Sequence, residues 1–184
     1  MYWVIALFDK QTEKLITDVW KELRDESISY YIDEVQDGRP HLTLASYKEL
    51  DKENYMKQME IFYEEKESLD ITFNHIGSFL NYNTLFLSPT ATKELLDFHT
   101  HHHEHFKTFN TEANKLYEPG QWIPHSTLAN KLEPDQLSKA FHYCVDRIGH
   151  TTGRIEEVGL IELIRQDGDT MEAPLIYSKK LKRS

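Results

Sequence analysis

His41 and Thr43 stand two residues apart, and His125 and Thr127 repeat the arrangement in a second copy of the same short motif. Pro40-His41-Leu42-Thr43-Leu44-Ala45 returns as Pro124-His125-Ser126-Thr127-Leu128-Ala129, with five of six positions identical. On an extended strand, residues i and i+2 share a face. Each copy therefore presents an imidazole beside a hydroxyl, while Leu42, Leu44 and Leu128 point into a core. Two such strands related by a pseudo-twofold bring both pairs to one groove. In-line displacement at phosphorus needs a base for the incoming water or hydroxyl and an acid for the departing oxygen opposite. Imidazole, with an ordinary pKa of about 6.5, serves either role at neutral pH. The threonine hydroxyls suit donation to the non-bridging oxygens. The scheme needs neither metal nor cofactor.

The elements that must position these groups alternate along the chain. Helical periodicity appears in four places. Leu15, Ile16, Val19, Trp20 and Leu23 form the first apolar stripe, and the second helix is expected from about Asp51 to Glu67 with Tyr55, Met56, Met59, Phe62 and Tyr63 inward. A third starts near Thr92 with Leu95, Leu96, His99, His103 and Phe106 on one face. The fourth has Pro134 in its first turn, Leu137, Ala140, Phe141, Cys144, Val145 and Ile148 as its stripe, and Gly149 as its stop. Strands are expected at Tyr2–Phe8, Ser29–Asp33, His41–Ser46, Leu69–His75, Thr84–Ser88, Pro124–Asn130, Gly153–Arg165 and Pro174–Lys179. Turn chemistry at Asp37-Gly38, Asn81-Tyr82-Asn83, Pro119-Gly120 and Asp167-Gly168 separates several of them. No low-complexity linker intervenes, so residues 1–184 read as one bilobal domain with interleaved lobes, in approximate halves 1–80 and 81–184.

Composition bounds the partners. The 184 residues carry 21 basic and 31 acidic side chains, a formal charge of −10, of which −8 falls in residues 1–80. That argues against a broad basic face and hence against duplex DNA, and favours a small nucleotide or a single-stranded RNA end. Cys144 is the only cysteine, which rules out an internal disulfide and a thiolate zinc cluster. The opening apolar run lacks a basic region, meets Asp9 at once, and reads as a strand and not a signal peptide. No apolar run reaches 18 residues, so no membrane span is expected and a cytoplasmic monomer is the default.

Other residues near the motifs are candidates for substrate binding. Tyr47 and Trp122 are placed to stack a base, and Arg39, Lys48, Lys131 and Arg165 to contact phosphate, although core packing or solvated charge is the commoner fate of such residues. In His99-Thr100-His101-His102-His103-Glu104-His105 the i, i+4 pairs have metal-chelating spacing. His99 and His103 lie on the apolar stripe and His101 and His105 opposite, so mixed buried and exposed histidines are expected and no dedicated metal site. Cys144 reads as buried packing, and Lys179-Lys180-Leu181-Lys182-Arg183 as a solvated tail.

The paired H-x-T motifs, about eighty residues apart, resemble the 2H phosphoesterase superfamily, in particular its bacterial 2′-5′ RNA ligase-like branch. Tyr117-Glu118-Pro119-Gly120-Gln121-Trp122-Ile123 before the second motif is similar to that branch as well. The resemblance implies an α+β fold, a bilobal pseudo-twofold arrangement of two antiparallel sheets flanked by helices around a cleft. It implies metal-independent hydrolysis of 2′,3′-cyclic phosphate ends of RNA or related small esters, sometimes with 2′-5′ ligation. His41, Thr43, His125 and Thr127 would be the catalytic tetrad. Asn130 and Lys131 stand where an arginine often follows Leu-Ala in relatives. Two rival readings are a non-catalytic RNA- or nucleotide-binding protein using the same cleft, and metal storage or sensing through the histidine-rich helix.

Overall fold

The computed structural model describes residues 1–165 and 171–183. The strand β1 (Tyr2–Phe8) is apolar throughout because both of its faces are covered. Val4, Ala6 and Phe8 face the helices, and Ile5 and Leu7 face the opposite side. On one edge β1 pairs with β3 (His41–Tyr47), and on the other with the long strand β7 (Thr151–Glu162). The free side of β7 is shared: its C-terminal half takes β10 (Leu175–Lys180) and its N-terminal half takes β4 (Leu69–Phe79). From β4 the sheet continues through β5 (Thr84–Pro89) to β6 (Ser126–Ala129). All these pairings are antiparallel, in the order β3-β1-β7-β4-β5-β6, so the two repeated motifs occupy opposite edges of one sheet. A small sheet of β2 (Val35–Gln36), β9 (Met171–Glu172) and β8 (Ile164–Arg165) lies apart from it. Val35, Leu163 and Ala173 there pack on Ile5, Leu7 and Ile161.

The helices sit where cap chemistry places them. Asp9 accepts from the N–H groups of Gln11 and Thr12 to start α1 (Lys10–Asp25). Its stripe of Ile16, Val19, Trp20 and Leu23 is buried. Asp51 and Thr92 cap α3 (Lys52–Tyr63) and α4 (Lys93–His105) in the same way. Pro134 opens α5 (Pro134–Ile148) behind a Glu133/Gln136 capping box, and Gly149, at φ +60°, ends it. Glu22 of α1 receives the Tyr143 hydroxyl and the Arg147 guanidinium of α5, which joins those two helices. Burial pushes the Cys144 thiol up to about 12, in keeping with a packing role. Among the described residues, no helix is long and apolar enough to cross a membrane.

Several expectations need correction. Ser29–Asp33 is not a strand: residues Tyr31–Glu34 form the short helix α2. Ser27, at φ +56°, turns the chain out of α1, and the N–H groups of Ile28 and Ser29 fold back onto the Leu23 carbonyl. Those donors are then spent on the helix end and cannot enter a ladder. The second helix stops at Tyr63 and not at Glu67. Phe141 and Val145 are 40% and 46% exposed, because α5 turns Leu137, Ala140, Tyr143, Cys144 and Ile148 to the core. Leu96 is likewise exposed on α4. The strand expected at Leu69–His75 runs on to Phe79, whereas that at Pro124–Asn130 is shorter, so His125 sits just before β6. The Asp167-Gly168 turn lies outside the described residues.

Candidate active site

Alternation along β3 sends Leu42 and Leu44 into the helix-covered core and leaves His41 and Thr43 on the opposite face. Around β6, Leu128 is buried in the same core while His125 and Thr127 face the other way. Although four strands separate them in the sheet, the edge strands β3 and β6 approach each other in space. All four motif side chains line one cavity of about 760 Å³.

The two imidazoles are held alike. His41 Nδ1 donates to the Arg39 carbonyl at 2.6 Å, and His125 Nδ1 donates to the Ile123 carbonyl at 2.7 Å. A carbonyl oxygen only accepts, so each Nδ1 carries the hydrogen and each Nε2 is the nitrogen that titrates. His125 lies against Phe79 and Phe86, with ring centroids at 4.8 and 5.4 Å, and His41 against Trp3 at 6.1 Å. Phe86 reaches this position across Gly77, where a Cβ would meet its ring at 2.6 Å. Burial among these rings lowers the His125 pKa. It pushes His41 down to about 4, with the neighbouring charges of His125 and Arg39 adding to the effect.

The threonines are also held alike, each by the other half of the chain. Trp20 Nε1 donates to the Thr127 carbonyl at 2.9 Å, and Trp122 Nε1 donates to the Thr43 carbonyl at 2.9 Å. The Tyr31 phenol interacts with the Thr127 side chain, and the Tyr117 phenol with that of Thr43. Both phenols line the cavity. Two general acid–base groups and two hydroxyl donors thus surround one space, the set that an in-line displacement at phosphorus requires.

The other residues singled out in the sequence are placed differently. Tyr47 is away from the cavity, fully buried against Tyr55, with its hydroxyl 3.2 Å from that of Tyr55. A bulge at Leu44, where the pairing with β1 steps from Thr43 to Ala45, breaks the alternation and turns Ala45 and Tyr47 to the core, so Tyr47 cannot stack a base. Trp122 is buried too, its indole committed to Thr43 and stacked on His99, so it supports the site from behind. Arg39 lines the cavity, but its guanidinium bonds Glu13 at 2.8 Å and pairs with Glu157 at 3.5 Å. Lys131 also lines it and pairs with Glu34 at 3.2 Å. Lys48 and Arg165 are exposed residues outside the lining.

On α4, His99, His102 and His103 are buried and His101 and His105 exposed. His99 Nε2 donates to the Leu44 and Tyr117 carbonyls, and His103 Nε2 to Leu44. His102 sits between the hydroxyls of Tyr55 and Tyr63. Among the described residues, no group of three or more His, Cys, Asp or Glu is arranged to hold a metal ion. Trp20 and Tyr31 escaped the sequence reading because nothing in the stretch before the first motif marks a contact with Thr127. Tyr117 was within a stretch already singled out, but its partner Thr43 lies in the other half of the chain.

A family model described as the 2′-5′ RNA ligase superfamily matches residues 11–167. Among solved structures, the chain is similar to Escherichia coli LigT complexed with 3′-AMP, at 12% identity and a TM-score of 0.66. The match covers 98% of this chain and 97% of that one. The protein TT0787 of Thermus thermophilus is similar at 13% identity and a TM-score of 0.64, with the same coverage. A structure described as a phosphoesterase gives 12% identity, a TM-score of 0.62 and, again, 98% and 97% coverage. At these identities the likeness is one of fold. A comparison with curated protein sequences gives no match.

Proposed function

The chain belongs to the 2′-5′ RNA ligase superfamily, and from that premise we propose that it is a metal-independent phosphodiesterase that opens 2′,3′-cyclic phosphates or related small nucleotide esters. The observation that carries this reading is the pair of imidazoles in one cavity, each with Nδ1 tied to a carbonyl and Nε2 left to titrate. His41 is the base: its neutral Nε2 takes a proton from water as the oxygen attacks phosphorus. His125 is the acid: its Nε2–H passes to the departing ribose oxygen on the opposite side, and the P–O bond of the ring breaks. The product is a phosphomonoester, with a proton gained at His41 and lost at His125, restored by exchange with solvent. Thr43 and Thr127 donate to the non-bridging oxygens, where charge grows in the transition state.

A small ester suits the cavity better than a long RNA. Its lining holds two cations, Arg39 and Lys131, each paired with an acidic side chain, so one phosphate monoanion is a fitting load. The complexes of E. coli LigT with 3′-AMP and with phosphate support a ligand of that size.

The test is turnover of a panel of nucleoside 2′,3′-cyclic phosphates in EDTA, beside His41→Ala and His125→Ala. Each variant is expected to lose at least about 10²-fold in kcat with the fold retained. Full activity in either variant would overturn the mechanism. Saturable binding with no turnover on any substrate would instead favour a binding protein that uses the same cleft.

A further inference from the structure

The two copies of the motif share a backbone irregularity as well as their residues. On β3 the pairing with β1 steps from Thr43 to Ala45, and on β6 the pairing with β5 steps from Thr127 to Ala129. Each strand therefore bulges at the same leucine, Leu44 or Leu128, and that leucine and the alanine after it are both buried in the core. The extra residue shifts the alternation by one, so the third residue after each threonine, and not the second, returns to the face of the motif. In the first copy that residue is Ser46, which is buried and outside the cavity lining. In the second copy it is Asn130, just past the end of β6, which lines the cavity. A site that is nearly symmetric in its histidines and threonines is asymmetric here.

The Asn130 amide is held one way round. Thr84 Oγ1 donates to Asn130 Oδ1 at 2.6 Å, and the Lys131 backbone N–H donates to the same oxygen at 2.9 Å. A backbone N–H only donates, so the atom that faces it is the oxygen, and the amide cannot be turned over. Lys131 makes that donation from the left-handed region, at φ +54°, a conformation unfavourable for a residue with a Cβ. Asn83, next to Thr84, is left-handed as well, at φ +47°, and its carbonyl accepts from the Leu132 N–H at 3.2 Å. Both acceptor sites of Oδ1 are thus taken. Nδ2, with two hydrogens, has no partner among the described residues. Asn130 enters the cavity lining as a donor alone.

Adenine pairs twice with a free asparagine amide, donating from its amino group to Oδ1 and accepting at N7 from Nδ2. A donor-only amide cannot make that pair. It matches a carbonyl oxygen and sets its own hydrogens against those of an amino group. Tyr82, two residues from Thr84, lines the same cavity with its ring 65% exposed, so a stacking face stands beside the donor. Thr127 faces the phosphate, whereas Asn130, three residues further on and uncharged, suits the group attached to it. We propose that Asn130 is a specificity-determining residue that donates from Nδ2 to a keto oxygen of the substrate's base, so that the site selects keto-bearing bases over their amino-bearing counterparts. This rests on the reading of the cavity as a site for nucleoside cyclic phosphates.

The experiment compares kcat/KM on two pairs of nucleoside 2′,3′-cyclic phosphates with the full chain, uridine against cytidine and inosine against adenosine. Within each pair a keto oxygen takes the place of an amino group. The wild type should favour the keto member at least about 5-fold in the pair whose ring size brings that group to the amide. Asn130→Asp keeps an oxygen for Thr84 and Lys131 but exchanges the donor for an acceptor, so the ratio should invert. Its added charge weighs on both members of a pair alike and cancels in the ratio. Thr84→Val leaves Asn130 in place and frees one acceptor site of Oδ1 for an amino group, so the preference should shrink at least about 2-fold. If Asn130→Asp fails to fold, Thr84→Val decides alone.

Turnover with no preference in either pair, or a preference that the variants leave unmoved, would overturn the proposal and leave the enzyme reading intact. If the wild-type protein turns over no cyclic phosphate, the same ratios are read by NMR in the affinities of the four nucleoside 3′-monophosphates, where a missing preference overturns the proposal. A protein that neither turns over the esters nor binds the monophosphates overturns the reading of the cavity and this proposal with it.

Discussion

His99 lies flat against Trp122, with ring centroids 3.9 Å apart and planes 2° from parallel, and the same indole donates to the Thr43 carbonyl at 2.9 Å. The histidine-rich helix thereby reaches the cavity through one stacked ring. His99 also donates to the carbonyls of Leu44, on the motif strand, and Tyr117, beside the cavity. The buried part of a run with metal-chelating spacing therefore braces β3 and the turn that carries Tyr117.

That chain of contacts makes Trp122→Phe informative. The ring stack survives, but the Thr43 carbonyl loses its donor in a place shielded from water. A lost hydrogen bond of this kind is worth about 1–3 kcal/mol. We expect kcat to fall by about an order of magnitude with KM little changed, and the urea midpoint to drop. Unchanged kcat with lowered stability would show that the indole supports only the fold.

The rate should peak on the acid side of ordinary histidine chemistry. As base, His41 must be neutral, so kcat/KM rises as pH climbs through its value of about 4. As acid, His125 must be protonated, so kcat/KM falls as pH climbs through its lowered value, below 6.5. The resulting bell lies below about pH 6.5. Bound phosphate favours protonated imidazole, so the kcat profile should sit at higher pH than that of kcat/KM. A kcat/KM optimum above about pH 7.5 would contradict this assignment.

Stability should fall in mild acid. Burial pushes His99 and His41 to about 4 and His102 well below the ordinary imidazole value. The unfolded chain takes up these protons near pH 6.5 while the folded chain stays neutral, so stability present above that pH is lost as pH falls toward the folded values. Each histidine that stays neutral in the fold at pH 5 accounts for about 2 kcal/mol between pH 6.5 and 5. Melting temperature from pH 8 to 5 checks this. His102→Phe should flatten the slope, although losing the Tyr55 and Tyr63 partners lowers the plateau.

Substrate affinity should respond weakly to salt. The Arg39 guanidinium faces Glu13 and Glu157, so Arg39→Gln should leave KM within about 2-fold and lower stability by at most about 1 kcal/mol. A slope of log affinity against log salt of about one or less in magnitude is expected for a single phosphate contact. A slope of several would point to an extended nucleic-acid backbone.

The parts of this architecture that were legible from sequence are those with local signals. The repeat placed His41, Thr43, His125 and Thr127 on one face each, and Asp51, Thr92, Pro134 and Gly149 marked helix ends, whereas the cap at Asp9 was not read. What escaped is set by contacts distant in sequence. Trp20 and Thr127 are 107 residues apart, and neither carries a mark of the other. Tyr47 looked like a stacking residue because it follows the motif on the same alternating face as His41 and Thr43, yet the bulge at Leu44 reverses that face and sends it to the core. Tyr31 looked like part of a strand because Tyr and Ile favour one, whereas the end of α1 had already claimed the donors just before it.

Gly77 is the clearest place where a residue without a side chain sets the chemistry of another. It lies beneath Phe86, whose ring meets both Phe79, at 4.5 Å, and His125, at 5.4 Å. A methyl group at position 77 would sit 2.6 Å from the ring, closer than any stable contact, and Phe86 is only 7% exposed, so the ring has little room to withdraw. It must move toward His125 or force β4 and β5 apart. Gly77→Ala should therefore destabilise by about 1–3 kcal/mol, the usual range for overpacking. Because the displaced ring bears on the proposed acid, kcat should fall more than stability alone explains, and the alkaline limb of the kcat/KM profile should shift while the acid limb set by His41 stays in place. Comparing the two limbs in Gly77→Ala and wild type separates the two effects: a uniform loss of active protein with both limbs unmoved would mean that Gly77 matters to the sheet alone.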